Sequence, residues 1–191
     1  VDYTSIKIQG HVLISDAETG HVILNKRNAI HIENMSVAIA SAMSNAKNSY
    51  GFLGNIHSFA FGNGGTSVND VGLVTYNSPK NALTSDVLYN QTYSIVINNT
   101  EEEDSNNNIS FTHYNGSTFS DIIITATLDY SEPSSQDSLD DAATRDGDYV
   151  FDEIGLFSQQ GKLLTHLVFH PVQKSANGKF QFVYTVRISI G

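Results

Sequence analysis

The stretch Lys179-Phe180-Gln181-Phe182-Val183-Tyr184-Thr185-Val186-Arg187-Ile188-Ser189-Ile190 decides the fold class. Phe180, Phe182, Tyr184, Val186, Ile188 and Ile190 share one parity, and Lys179, Gln181, Thr185, Arg187 and Ser189 fill most of the other. Side chains of a strand alternate between its two faces, so one face is dry and the other wet, the pattern of an antiparallel sheet packed on one side. Two further strands precede it, Tyr149–Phe157 and Lys162–Phe169. Gln159-Gln160-Gly161 and Ala176-Asn177-Gly178 read as tight hairpin turns between them. Phe151, Leu156, Phe180, Phe182, Tyr184 and Ile188 form the predicted core, where truncation to Ala costs about 2–5 kcal/mol.

Further out the same period recurs. Ile6, Ile8, Val12 and Ile14 alternate with polar residues, Asp16-Ala17-Glu18-Thr19-Gly20 is a turn, and His21-Val22-Ile23-Leu24 is a second strand. Thr92–Asn98, a return strand beginning at Ile109, and Asp121–Tyr130 add three more, with the acidic run from Thr100 to Asn107 as a hairpin tip. Between about Asn34 and Ala46 the period changes. Met35, Ile39, Ala42, Met43 and Ala46 lie on one helical face, with Asn34 as the expected N-cap. From Gly51 to Lys80 the chain reads as an irregular Gly- and Asn-rich loop with one short strand, and Ser131–Asp148 as an extended loop or docking arm. The expectation is one mainly β domain over residues 1–191, an antiparallel β-sandwich-like fold with one α-helix, about residues 34–46, and long loops.

Composition narrows the chemistry. The chain has 191 residues, 40% hydrophobic and only 16% charged, so much of its surface is neutral polar. A net charge of −10 with ten Lys and Arg argues against neutralising nucleic-acid phosphates. There is no Cys, which removes disulfides, thiolate metal sites and thiol nucleophiles. No apolar run is long enough for a spanning helix, and Val1-Asp2-Tyr3-Thr4 does not read as a signal peptide.

The motifs point away from catalysis. His166 and His170 have the spacing that binds zinc on a helix, but on a strand four residues span about 13 Å, too far for two ligands each about 2 Å from one ion. His11, His21 and His31 lie in separate segments. Phe61-Gly62-Asn63-Gly64-Gly65-Thr66-Ser67 lacks the Lys-Ser/Thr of a phosphate loop and reads as a tight turn needing positive φ. The carboxylates Asp129, Glu132, Asp137, Asp140, Asp141, Asp146, Asp148, Asp152 and Glu153 read as a solvated stretch, and no Trp is present to stack a sugar. Asp152 and Glu153 interrupt an apolar strand, which places them on its wet face or against a base such as Arg187 or Lys162. Gly155 in the same strand suggests a bulge or a close backbone approach. The expectation is therefore no catalytic residue, no cofactor and no metal site.

Val150-Phe151-Asp152-Glu153-Ile154-Gly155-Leu156-Phe157, Gly161–His166, Phe169–Lys174, Tyr184–Ile188, Asn28–His31, Glu33–Ser36, Ala60–Thr66, Leu88–Tyr93 and Thr127–Pro133 together resemble a family of small virion structural proteins of tailed bacteriophages. The Glu-Ile-Gly-Leu-Phe element is similar to one in attachment domains of tail-fibre proteins. The resemblance implies a structural protein of the tail, baseplate or neck/collar. It implies homo-oligomeric and hetero-oligomeric assembly with copies of itself and neighbouring phage structural proteins, with neither nucleic acid nor membrane as a partner. It further implies location in the virion after assembly in the host cytoplasm. A capsid decoration protein and a glycan-binding, receptor-binding β-sandwich module are the alternatives it leaves open.

Overall fold

The computed structural model describes residues 4–44, 55–81, 85–97, 107–133 and 150–191. In chain order the elements are β1 (Ile6–Asp16), β2 (Val22–Ile30), α1 (Ile32–Ser44), β3 (Ile56–Gly62), β4 (Thr66–Val68), β5 (Val74–Tyr76), β6 (Gln91–Val96), β7 (Asn108–His113), β8 (Phe119–Leu128), β9 (Val150–Ser158), β10 (Leu163–Gln173) and β11 (Phe180–Ile190). Nine strands form one antiparallel sheet in the order β6-β3-β9-β10-β2-β1-β11-β8-β7, and β4 pairs with β5 in a separate hairpin. The mainly β, sandwich-like expectation holds.

The sheet doubles over at β2. Leu24 to Asn28 pair with β1, whereas Ala29 and Ile30 pair with β10, so one strand serves both halves. Strands far apart in the ladder therefore meet face to face. Phe61 on β3 lies 4.8 Å, ring centre to ring centre, from Phe182 on β11, and Phe59 lies 5.7 Å from Tyr184. Such packed aromatic pairs add about 0.5–1.5 kcal/mol each beyond the area they bury. β11 sits between β1 and β8 in unbroken register, from Ile6 opposite Ile190 to Asp16 opposite Phe180 on one side. Its even-numbered residues Phe180 to Val186 are buried, as their parity predicts. Of the predicted core, Ile188 is only half-buried, and Ile190 two residues further along β11 is exposed.

The helix is real but differently phased. Met35, Ala38 and Ser41 are its buried residues, while Met43 is 81% exposed. Ser41, a small polar residue, is buried on the same helix as Met35 and Ala38, which pack on Leu164 of β10. Asn34 is not the cap. His31 is: its carbonyl accepts the Met35 N–H at 2.9 Å and its Nδ1 accepts the Asn34 N–H at 3.4 Å. The Asn34 amide instead donates to the Leu163 carbonyl at 2.8 Å, tying the first turn to β10. The Gly51–Lys80 region holds three strands rather than one, and the second strand extends to Ile30. Of the Ser131–Asp148 arm and the acidic tip, residues 134–148 and 98–106 lie outside the described residues.

Candidate functional site

The most concentrated polar chemistry sits on the outer face of β9 and β10. The ladder between these strands slips: Val168 pairs with Glu153 and Val172 with Phe151, so Phe169, His170 and Pro171 stand opposite Asp152 alone. Pro171 has no N–H to give, which suits it to such a break. Phe151 and Ile154 both reach the core, and the two carboxylates between them both turn outward. Asp152 is 2% exposed and Glu153 0%. Neither is on a wet face, and neither meets Arg187 or Lys162, which pair with Asp121 and Asp86.

Backbone donors take up most of their lone pairs. Asp152 accepts the Gly65 N–H at 2.7 Å and the Thr66 N–H at 2.8 Å, together with the Thr66 hydroxyl. Glu153 Oε1 accepts the Asn90 N–H at 2.7 Å and the Gly64 N–H at 3.3 Å, and Oε2 accepts the Tyr89 N–H at 2.9 Å. The fourth donor is His166 Nε2, 2.9 Å from Oε2 in a pair with no exposed side-chain surface. His166 Nδ1 in turn accepts the Lys80 N–H at 2.8 Å. A backbone N–H only donates, so Nδ1 carries no proton and Nε2 does. Lys80 Nζ lies 4.3 Å above the Tyr89 ring and donates to the Leu88 carbonyl.

These bonds oppose burial in the titration of both acids. Burial pushes the Glu153 carboxyl up, but donation by His166, Asn90 and Tyr89 outweighs it and holds the group below the usual glutamate value. Burial also pushes Asp152 up, and there it prevails over the bonds from Thr66 and Gly65, with the neighbouring Glu153 charge adding to the rise. A third buried charge lies apart from this cluster. Lys174 is 0% exposed, donates to the Asp129 carbonyl at 2.6 Å, and is pushed down by burial.

The glycines of this region are there for space. None of Gly62, Gly64 and Gly65 has positive φ, contrary to the turn expectation. A Cβ on Gly62 would lie 2.3 Å from the Asn90 carbonyl oxygen, and one on Gly65 would lie 2.8 Å from that of Asp152. Gly155 likewise meets side chains rather than a backbone, with Leu163, Leu88 and Phe157 all within 3 Å of a built Cβ. His166 and His170, expected to lie too far apart to share a zinc ion, receive the same segment: Lys80 N–H bonds to the first and the Tyr76 hydroxyl lies 3.2 Å from Nδ1 of the second. Their four-residue spacing matches that of Tyr76 and Lys80 running alongside.

Chemically, the arrangement fastens loops. Each carboxylate oxygen already has a donor, and the pair is closed to solvent. Among the described residues, no three His, Asp or Glu side chains come together to hold a metal ion. Large apolar side chains are exposed elsewhere. The β4–β5 hairpin displays Val68, Val71 and Leu73, the second of them 77% exposed. Its turn is set by Asn69, whose Oδ1 accepts the N–H groups of Val71 and Leu73. An uncharged groove of about 460 Å³ runs between α1 and the ends of β1 and β2, lined by residues including Ile6, Ile30, Ile32, Ile39 and Met43. Phe111 stands 76% exposed on β7, at one edge of the sheet. Among the described residues, no helix is long and apolar enough to cross a membrane. Compared with protein-family models, curated proteins and solved structures, the chain finds no match in any of the three.

Proposed function

We propose that this chain is a structural component of a tailed-phage virion, sited in the tail, baseplate or neck/collar. In this reading it is assembled in the host cytoplasm and works by binding copies of itself and neighbouring virion proteins. The observation that carries the reading is the display of large apolar side chains on ordered elements: the β4–β5 hairpin, the outer side of α1 and the β7 edge. Contiguous exposed apolar surface marks places where proteins meet. Two further points support it. The buried carboxylates Asp152 and Glu153 are engaged with backbone donors, which suits rigidity rather than turnover. The sequence stretches that resemble tailed-phage virion proteins include β9 and the first half of β10, the strands on which that cluster is built.

Imaging of intact particles carrying a labelled version of the chain tests the proposal. Label is expected in a symmetric set of copies on the tail, baseplate or neck. Val71→Asp with Leu73→Asp, or Met43→Asp, is expected to reduce incorporation while leaving the isolated chain folded. Label on the head would favour the decoration reading. Particles without label, together with a chain that sediments as a monomer at every concentration, would remove the assembly reading altogether.

A further inference from the structure

We propose that the Glu153–His166 pair is a proton-operated latch on the root of the β4–β5 hairpin: neutral His166 pins the segment that follows β5 to the sheet, and a second proton on its imidazole releases it. The proposal rests on hydrogen-bond geometry and not on the assembly reading.

The hairpin has two roots. Its N-terminal root is held by Asp152, through Gly65 and Thr66. Its C-terminal root is the run from Tyr76 to Lys80. Asn77 ties this run to the glycine loop, its N–H donating to the Gly65 carbonyl at 2.8 Å and its amide to the Gly64 carbonyl at 2.9 Å. On either side of Asn77 the described bonds of this run to β10 are the two histidine contacts, Tyr76 with His170 before it and Lys80 with His166 after it.

The two histidines respond differently to a proton. At His170 the partner is a hydroxyl, which can turn and accept from a protonated Nδ1. At His166 the partner is a backbone N–H, which cannot. Nε2 already carries its proton toward Glu153, so the second proton must enter at Nδ1. Two N–H groups would then face each other across 2.8 Å, and the Lys80 bond cannot survive. The groups facing the imidazole define the balance. From β9, the Glu153 carboxylate faces Nε2 at 2.9 Å. From the segment before β6, the Tyr89 ring centre lies 5.9 Å away, and Lys80 Nζ sits over that ring as an opposing positive charge. From β2, Ala29 pairs with His166 and contributes no charge. Release loosens the Lys80 end of that root, while Asn77 and the Tyr89 hydroxyl, which donates to the Ser78 carbonyl at 2.8 Å, still hold the part nearer the hairpin that displays Val68, Val71 and Leu73.

Amide hydrogen exchange of the whole chain, followed by NMR between about pH 7.5 and about pH 5 alongside the ring nitrogen signals of His166, tests this. After correction for intrinsic exchange, protection of the Lys80 amide is expected to fall by about ten-fold or more as His166 takes its second proton, while amides of β11 stay protected. His166→Asn places an amide oxygen where Nδ1 stands and cannot titrate, so Lys80 should remain protected throughout. His166→Gln directs its amide toward Glu153 and should leave Lys80 unprotected at both ends of the range. Constant Lys80 protection while His166 titrates would overturn the latch, as would a His166 that takes no proton in this range. Loosening of Lys80 in His166→Asn, or loosening confined to Gly65 and Thr66, would assign the response to Asp152 and overturn it equally.

Discussion

Glu153→Gln removes one charge and one acceptor from a site that presents four donors. The wild-type carboxylate receives Asn90 and Gly64 on Oε1 and Tyr89 and His166 on Oε2. A glutamine offers one oxygen and one NH2. Whichever way the amide is turned, two bonds are kept and two N–H groups meet another donor in a place without water. If the oxygen keeps Asn90 and Gly64, the stranded donors are Tyr89 and His166. His166 cannot adapt by moving its proton to Nδ1, because Lys80 occupies that position. Leaving a buried donor unsatisfied costs about 1–3 kcal/mol. Two stranded donors therefore cost about 2–6 kcal/mol, a large part of the roughly 5–15 kcal/mol typical of a domain. Guanidinium unfolding followed by far-UV circular dichroism measures it as a lowered midpoint with an unchanged slope. A midpoint equal to wild type would refute the claim that the cluster holds the outer loops to the sheet, since an exposed or water-filled site would tolerate the change.

Four further outcomes follow from the same geometry. Phe182→Ala empties the contact with Phe61 in the wholly buried centre and should cost about 3–5 kcal/mol in the same unfolding assay. Tyr184→Phe keeps the ring and removes the hydroxyl that donates to Thr165, so a loss of about 1–2 kcal/mol is expected, well below that of Phe182→Ala. Gly62→Ala should destabilise strongly, with its Cβ 2.3 Å from the Asn90 carbonyl oxygen, whereas Gly178→Ala, whose nearest neighbour lies 3.8 Å away at ordinary φ, should change stability by less than about 0.5 kcal/mol. Asp121 is held below its usual value near 3.8 chiefly by its bonds from Arg187. A carboxyl depressed in the folded state adds stability above its unfolded pKa, and that contribution is lost as pH falls through the folded one. Arg187→Met should therefore flatten the acid limb of a melting-temperature profile below about pH 4, and an unchanged limb would deny the pair any part in it.

The parts of the fold that were legible are those where burial is one-sided. β11, β1 and β8 each pack one face on the core, and alternation in Phe180 to Val186 or Ile122 to Leu128 writes that face into the residue order. α1 was legible as a helix but not in its phase. Apolarity alone does not name the inward face: the small residues Ala38 and Ser41 are buried with Met35, while the larger, apolar Met43 stays outside. The glycine loop shows the ambiguity of a single residue type. Glycine serves both positive φ and tight packing, and the residues that press on Gly62 and Gly64, Tyr89 and Asn90, come from a segment more than two dozen positions further along the chain.

The Glu153–His166 pair could not be read from hairpin arithmetic, because it depends on one slipped residue. Leu163 pairs with Phe157, but Thr165 then pairs with Leu156, so β10 carries an extra residue at that point. Without the slip, the register set by the first pair would place His166 opposite Ile154 on the core face, since shifting a strand by one residue exchanges its two faces. With it, His166 stands opposite Gly155, on the same side as Glu153 and diagonal to it, at a distance side chains span. Thr165 is correspondingly turned inward, where it meets the Tyr184 hydroxyl. The same irregularity therefore supplies a partner for the buried tyrosine on one face and for the buried carboxylate on the other. Gly155 completes the arrangement, because a side chain opposite His166 would collide with Leu163, Leu88 and Phe157 and lift the outer segment that both partners hold down.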